Sequence, residues 1–193
     1  MRYFWILAIL LLAVACARTS PSKKIGNDAS LQLLSLPPAT LGRSLSLSQL
    51  VTGEHGGKIY KIRYELDITP ERLAIVGLSS MGATLFSIIQ EKGKLTIENR
   101  IKRPSNLDLR YTLSDLYLTY WPSKVLNEAL SRINFQFYEA PDRSVRRILS
   151  LKGDTIAEVI YSAAHQQNRD ILIEHFDIPY RLRIKTVSGG DVP

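Results

Sequence analysis

The stretch "KIYKIRYELDI" sets Tyr60, Ile62, Tyr64, Leu66 and Ile68 against Lys61, Arg63, Glu65 and Asp67. Successive side chains of a strand point to opposite faces, so strict period two predicts a strand with one buried and one wetted face. Thr69-Pro70-Glu71-Arg72 reads as the turn that follows, with Pro70 fixing a backbone angle. Near the other end of the chain, Tyr180, Leu182 and Ile184 alternate with Arg181, Arg183 and Lys185 in the same way.

Further strand candidates lie between them: "RLAIVGL", "ATLFSIIQ", "KLTIEN", "INFQFYE", "SVRRILSL", "TIAEVIYSA" and "DILIEHF", punctuated by Gly93, by "KGD" and by "AHQQNRD". Many short strands at close spacing predict an antiparallel sheet that curls or closes. One region departs from period two. Leu113, Leu116, Tyr117 and Tyr120 recur at steps of three and four, with Ser114 as a cap for the first turn. Pro122 then starts a second short helix striped by Val125, Leu126, Ala129 and Leu130. The expected fold is mainly β with two short helices, an antiparallel, incompletely closed β-barrel plugged by those helices.

From Leu73 to Ile89 the apolar residues occupy both faces: Leu73 and Ile75 against Ala74, Val76 and Leu78, then Leu85 and Ile89 against Phe86 and Ile88. A strand apolar on both faces is covered on both. Either the helix pair packs there as ordinary core, or the concave face holds an apolar ligand with the helices as its lid.

The first segment governs location. After Met1-Arg2 an apolar run spans Tyr3 to Ala15. As a helix it would reach roughly 20 Å, short of the roughly 30 Å hydrocarbon core, so it reads as a secretory signal and not a lasting span. "AVAC" resembles the lipobox of bacterial lipoproteins, cleaved before a cysteine whose thiol takes a diacylglycerol. Ala13 stands where leucine is usual, and a plain signal peptidase cutting after Ala15 or Ala17 would leave no anchor. The expected organisation is 1–15 signal peptide, 16–30 lipidated Cys16 and flexible tether, 31–187 half-barrel domain, and 188–193 disordered tail. Ala17, in place of aspartate, implies the outer membrane by the lipoprotein sorting scheme. Cys16 is the lone cysteine, so no internal disulfide forms and the core alone must hold the fold.

The formal charge is +7, or +6 once Arg2 leaves with the signal. A basic balance suits nucleic acid or an anionic membrane surface, but secretion argues against nucleic acid, which is not expected as a partner. The basic residues alternate with apolar ones along strands, which suits a solvated outer face or contact with acidic headgroups. His55 falls in a "GEHGG" loop, His165 in a turn, and His175 on the same strand face as Ile173 and Ile171, as a core or rim histidine. No spacing fits a zinc site, "GLSSMG" is not a nucleophile elbow, and no phosphate-binding glycine loop is present. No enzyme activity, cofactor or metal is expected.

From Lys58 to Arg132 the chain resembles the LolA/LolB-like fold, an unclosed β-barrel with helices plugging an acyl-chain lumen. The resemblance is to the lipoprotein receptor LolB, whose hairpin tip carries Pro-Leu-Gly. Here "RLAIVGLSSMGATLFSI" places Ser80-Met81-Gly82 at the tip, and Trp121-Pro122 opens the second helix. The late "WP", the "YRLRI" strand and the overall size resemble a family of proteobacterial lipoproteins associated with aryl-polyene biosynthesis genes. The resemblance implies a monomeric protein anchored at the periplasmic face of the outer membrane, binding or transferring an acyl or polyene-like hydrophobic ligand or lipidated cargo. A periplasmic carrier or biosynthetic enzyme would be its partner. Met81 would contact membrane or cargo, and the expected lining is Tyr64, Leu66, Ile75, Leu85, Tyr117 and Trp121. The alternative is a non-catalytic adaptor docking an envelope or biosynthetic complex through its basic face, with Arg181 and Arg183 in the contact.

Overall fold

The computed structural model describes residues 34–100, 108–162 and 170–192. The segments assigned to the signal, Cys16 and the tether, and the turn holding His165, lie outside the described residues. Among the described residues, a buried lead-in through Leu34 and Leu36 and a 3-10 turn at Pro38–Leu41 precede ten strands. They are β1 (Ser44–His55), β2 (Lys58–Ile68), β3 (Arg72–Leu78), β4 (Thr84–Glu91), β5 (Lys94–Asn99), β6 (Phe135–Glu139), β7 (Val145–Ser150), β8 (Thr155–Tyr161), β9 (Asp170–His175) and β10 (Tyr180–Val192). Helices α1 (Arg110–Tyr120) and α2 (Ser123–Arg132) sit between β5 and β6.

All strands join one antiparallel sheet in the order β5-β4-β3-β2-β1-β10-β9-β8-β7-β6. β5 and β6 are its two edges, so the sheet curls without closing. The mainly β, two-helix, incompletely closed architecture read from the sequence is the one found.

Cross-strand partners share a face, which fixes the concave surface. One row runs through Ile88, Ile75, Leu66 and Leu47, and another through Val51, Ile184 and Ile171. All seven are buried. The opposite faces of β3 and β4 are covered only in part: Ala74 is buried, while Val76, Leu78, Leu85 and Ile89 are half-buried. Gly77 pairs with Phe86, and a Cβ on Gly77 would stand 2.1 Å from the Phe86 ring, so only glycine lets that ring lie flat against the strand.

Three readings need correction. The stretch 188–193, expected as a disordered tail, is strand through Val192, with Ser188–Val192 paired to Ser44–Ser48. Its glycines serve the pairing: Gly189 has φ +101, and a Cβ there would meet the Ser46 carbonyl at 2.1 Å. Its partner β1 was missing from the strand candidates, and His55 ends that strand rather than sitting in a loop. Ser114 caps nothing. It is buried in mid-helix, and α1 starts a turn earlier, where the Asp108 carboxylate accepts the Arg110 N–H at 2.9 Å.

Pro122 immediately precedes α2, as its fixed φ favours. Leu126 and Leu130 face the core, with Val125 and Ala129 packed at its margin. Asn134, at φ +63, ends the helix by donating its N–H to the Ser131 carbonyl.

Candidate functional site

Helix α1 lies in the concavity and is buried almost all round: Tyr111 and every residue from Leu113 to Thr119 are buried. Ser114, Asp115 and Thr119 therefore need partners inside. Thr119 donates to the Asp115 carbonyl at 2.7 Å. The Asp115 carboxylate meets His175 Nε2 at 2.7 Å and accepts the Tyr180 hydroxyl at 3.1 Å and 2.9 Å through its two oxygens. Register makes this possible, because Tyr180 and His175 are direct partners across β10 and β9. Their rings stack at 4.3 Å, and Tyr111 packs edge-on against both. Burial, reinforced by the adjacent Asp115 charge, pushes the Tyr180 hydroxyl well above its usual range. It stays protonated and remains a donor.

Two further contacts hold α1 to the sheet. Gln49 on β1 donates to the Tyr120 hydroxyl at 2.6 Å, and the Tyr117 hydroxyl donates to Gln90 on β4 at 3.1 Å. Burial pushes both tyrosines up to about 12. The C-terminal end of α1 is gripped separately. Arg146 Nη1 donates to the carbonyls of Leu118, Thr119 and Trp121, and the Tyr161 hydroxyl donates to Thr119. A cation there also opposes the negative end of the helix dipole. Glu139 completes the clamp, pairing with Arg146 at 2.8 Å and accepting from Ser123 Oγ at 2.7 Å.

Between α1 and the sheet remains a cavity of about 20 Å³, lined by Tyr64, Leu66, Ile75, Asp115, Leu116 and Ile173 among others. That is room for about one water. On the far side of the Asp115 cluster, an open pocket of about 300 Å³ lies between the β1–β2 and β9–β10 turns, with His55, Phe176, Pro179 and Tyr180 in its wall and His175 in its lining. His175 and Tyr180 touch the open pocket while Asp115 touches the inner cavity, so the cluster stands between the two.

Of the expected lining residues, Tyr64, Leu66 and Ile75 come together at the inner cavity. Tyr117 and Trp121 do not. They pack edge-on at 4.7 Å, and Trp121 Nε1 donates to Thr40 Oγ1 in the lead-in. Leu85 is also elsewhere, half-buried at a β-bulge where Leu78 pairs with Thr84 and the next ladder pair is Gly77 with Phe86. Met81 is 91% exposed at the β3–β4 tip. Sequence reading missed Asp115, Gln49 and Arg146. For Asp115 a signal was present: a carboxylate set between Leu113 and Leu116 in an apolar stripe.

Residues 46–188 match a family described as "Protein of unknown function (DUF3261)". The chain belongs to this family. The match takes in nearly all of β1, both helices, and all three members of the Asp115–His175–Tyr180 cluster. It begins after the 3-10 turn and stops within β10. No curated protein matches the chain.

Proposed function

We propose that this is a lipid-anchored protein of the bacterial envelope that binds or transfers a hydrophobic ligand, acyl or polyene-like, with α1 as a movable plug over the apolar concave face. Cys16 is the proposed attachment point, at the periplasmic side of the outer membrane.

The observation that carries the reading is the polar latch on a helix that fills an apolar groove. A carboxylate buried against histidine and tyrosine is often no better for stability than well-packed apolar side chains. Its use is a contact that can be made and broken as a unit. Releasing α1 would uncover Leu66, Ile75, Ile173 and their neighbours, a surface suited to an acyl chain at about 0.8 kcal/mol per buried methylene. With α1 seated, the residual cavity is far too small for such a chain. Binding on this reading therefore requires the helix to move.

The test is mass spectrometry of lipids extracted from protein purified without harsh detergent. The expected result is a bound acyl or polyene species that is depleted by Ile75→Trp. Absence of any bound amphiphile, together with no uptake of added palmitate, would contradict it.

A second reading, an adaptor, draws on the outer face. Leu50 is exposed there beside Arg63 and Lys185, with Arg183 and Lys61 on the next row. It predicts loss of function on charge reversal at Arg183 with ligand uptake intact.

A further inference from the structure

Strand direction places the β1–β2, β3–β4, β7–β8 and β9–β10 turns at one end of the half-barrel. The β2–β3, β4–β5 and β6–β7 turns lie at the other. Exposed large apolar residues are divided unequally between these ends. Ile59 (68% exposed), Met81 (91%), Leu151 (63%) and Phe176 (53%) stand in or beside the four turns of the first end, with Tyr60 next to Ile59. The described turns of the second end present Pro70-Glu71, Lys92-Gly93 and Pro141-Asp142-Arg143. Among the described residues, the remaining exposed large apolar ones, Leu50, Tyr138 and Val187, sit within strands.

We infer that the end carrying Ile59, Met81, Leu151 and Phe176 docks onto a lipid bilayer, with these four side chains entering the interfacial region. The form of the surface favours a bilayer over a protein partner. A protein interface has a contiguous, close-packed apolar centre. Here the apolar groups project singly from separate turns, each beside polar or glycine positions: Gly57-Lys58, Ser80 and Gly82, Lys152-Gly153, Asp177. Lys58 and Lys152 can carry their ammonium groups back to the headgroups, and Tyr60 suits the same depth. Glu54, Asp154 and Asp177 share this end, so its charge is mixed. Apolar insertion drives the contact, and salt should weaken it little. The contact is distinct from the acyl anchor at Cys16 and holds whether or not the interior takes a ligand. It would place the open pocket at the membrane surface, since Phe176 and Gly57 line that pocket.

The test uses the full chain with Cys16→Ser, so that one introduced cysteine carries an environment-sensitive fluorophore. Sites are Ile59, Met81, Leu151 and Phe176 at the docking end, and Glu71, Lys92 and Asp142 at the other. Vesicles of phosphatidylethanolamine and phosphatidylglycerol are added at low and high salt. Labels at the docking end should shift to the blue and be quenched by acyl-chain quenchers, and labels at the other end should do neither. With Met81→Ser and Phe176→Ser together, the labels at Ile59 and Leu151 should lose their shift. Equal responses at both ends, silence at all seven sites, or signals at Ile59 and Leu151 that survive the double substitution would each overturn the inference.

Discussion

Asp115 on α1 and His175 on β9 lie 60 positions apart in the chain and meet at 2.7 Å in the interior, with Tyr180 closing the other side of the carboxylate. Removing one member of a buried pair strands the other. Asp115→Ala should therefore lower unfolding free energy by about 3 kcal/mol. The double replacement Asp115→Leu with His175→Leu should regain much of that loss by packing. Urea denaturation of the three proteins measures both. A cost below about 1 kcal/mol for Asp115→Ala would mean that the cluster does not hold α1.

Acid should loosen the other end of the helix. Burial pushes the Glu139 carboxyl up, but the Ser123 hydroxyl and the Arg146 guanidinium outweigh it and hold Glu139 below its ordinary 4.5. A depressed folded value contributes stability above the unfolded one and loses it as pH falls through the folded one. The stability gap between the wild type and Glu139→Gln should be constant above about pH 5 and shrink below about pH 4.5. A gap independent of pH would remove Glu139 from the clamp.

Alkali acts with the opposite sign. Tyr117 and Tyr120, pushed up to about 12, favour the folded state fully below the ordinary tyrosine value of 10.0 and progressively less as pH rises toward 12. Tyrosinate absorbance should show a class that ionises only near pH 12 or on unfolding, and Tyr117→Phe with Tyr120→Phe should reduce that class. Full ionisation near pH 10 in the folded protein would contradict the burial of both hydroxyls.

Deleting 188–193 removes the partners of Ser44–Ser48. Loss of about 3 kcal/mol is expected, at roughly 1 kcal/mol per backbone hydrogen bond. Thermal unfolding of the shortened chain checks it, and an unchanged midpoint would return this stretch to the status of a loose tail.

These particular residues show what was legible. Tyr64, Leu66 and Ile68 could be placed because charged residues mark the wetted face of β2. β1 was harder to see because its alternation breaks at Gln49 and Leu50: Gln49 stands in the inward row between Leu47 and Val51, buried by pairing with Tyr120 across the concavity, while Leu50 is exposed on the outer face. The last residues of β10 hid behind glycines that usually signal a turn, but here Gly189 is required by the Ser46 backbone. Helix α1 read as amphipathic, with one apolar stripe. Asp115 is buried too, because its partners His175 and Tyr180 stand on β9 and β10, and no local pattern in the sequence reveals contacts 60 residues away. The same limit applies to the lining. Tyr64, Leu66 and Ile75 follow from strand alternation, whereas the places of Tyr117, Trp121 and Leu85 depend on how the lead-in and one bulge pack.

The central claim is that α1 is displaced when ligand enters. Hydrogen exchange along the chain, with and without palmitate, tests it most directly. Amides of Leu113 to Tyr120 should lose protection as palmitate binds while those of β1 to β4 keep theirs, and Asp115→Ala should bring the same loss without ligand. Palmitate binding with α1 protection unchanged would contradict it.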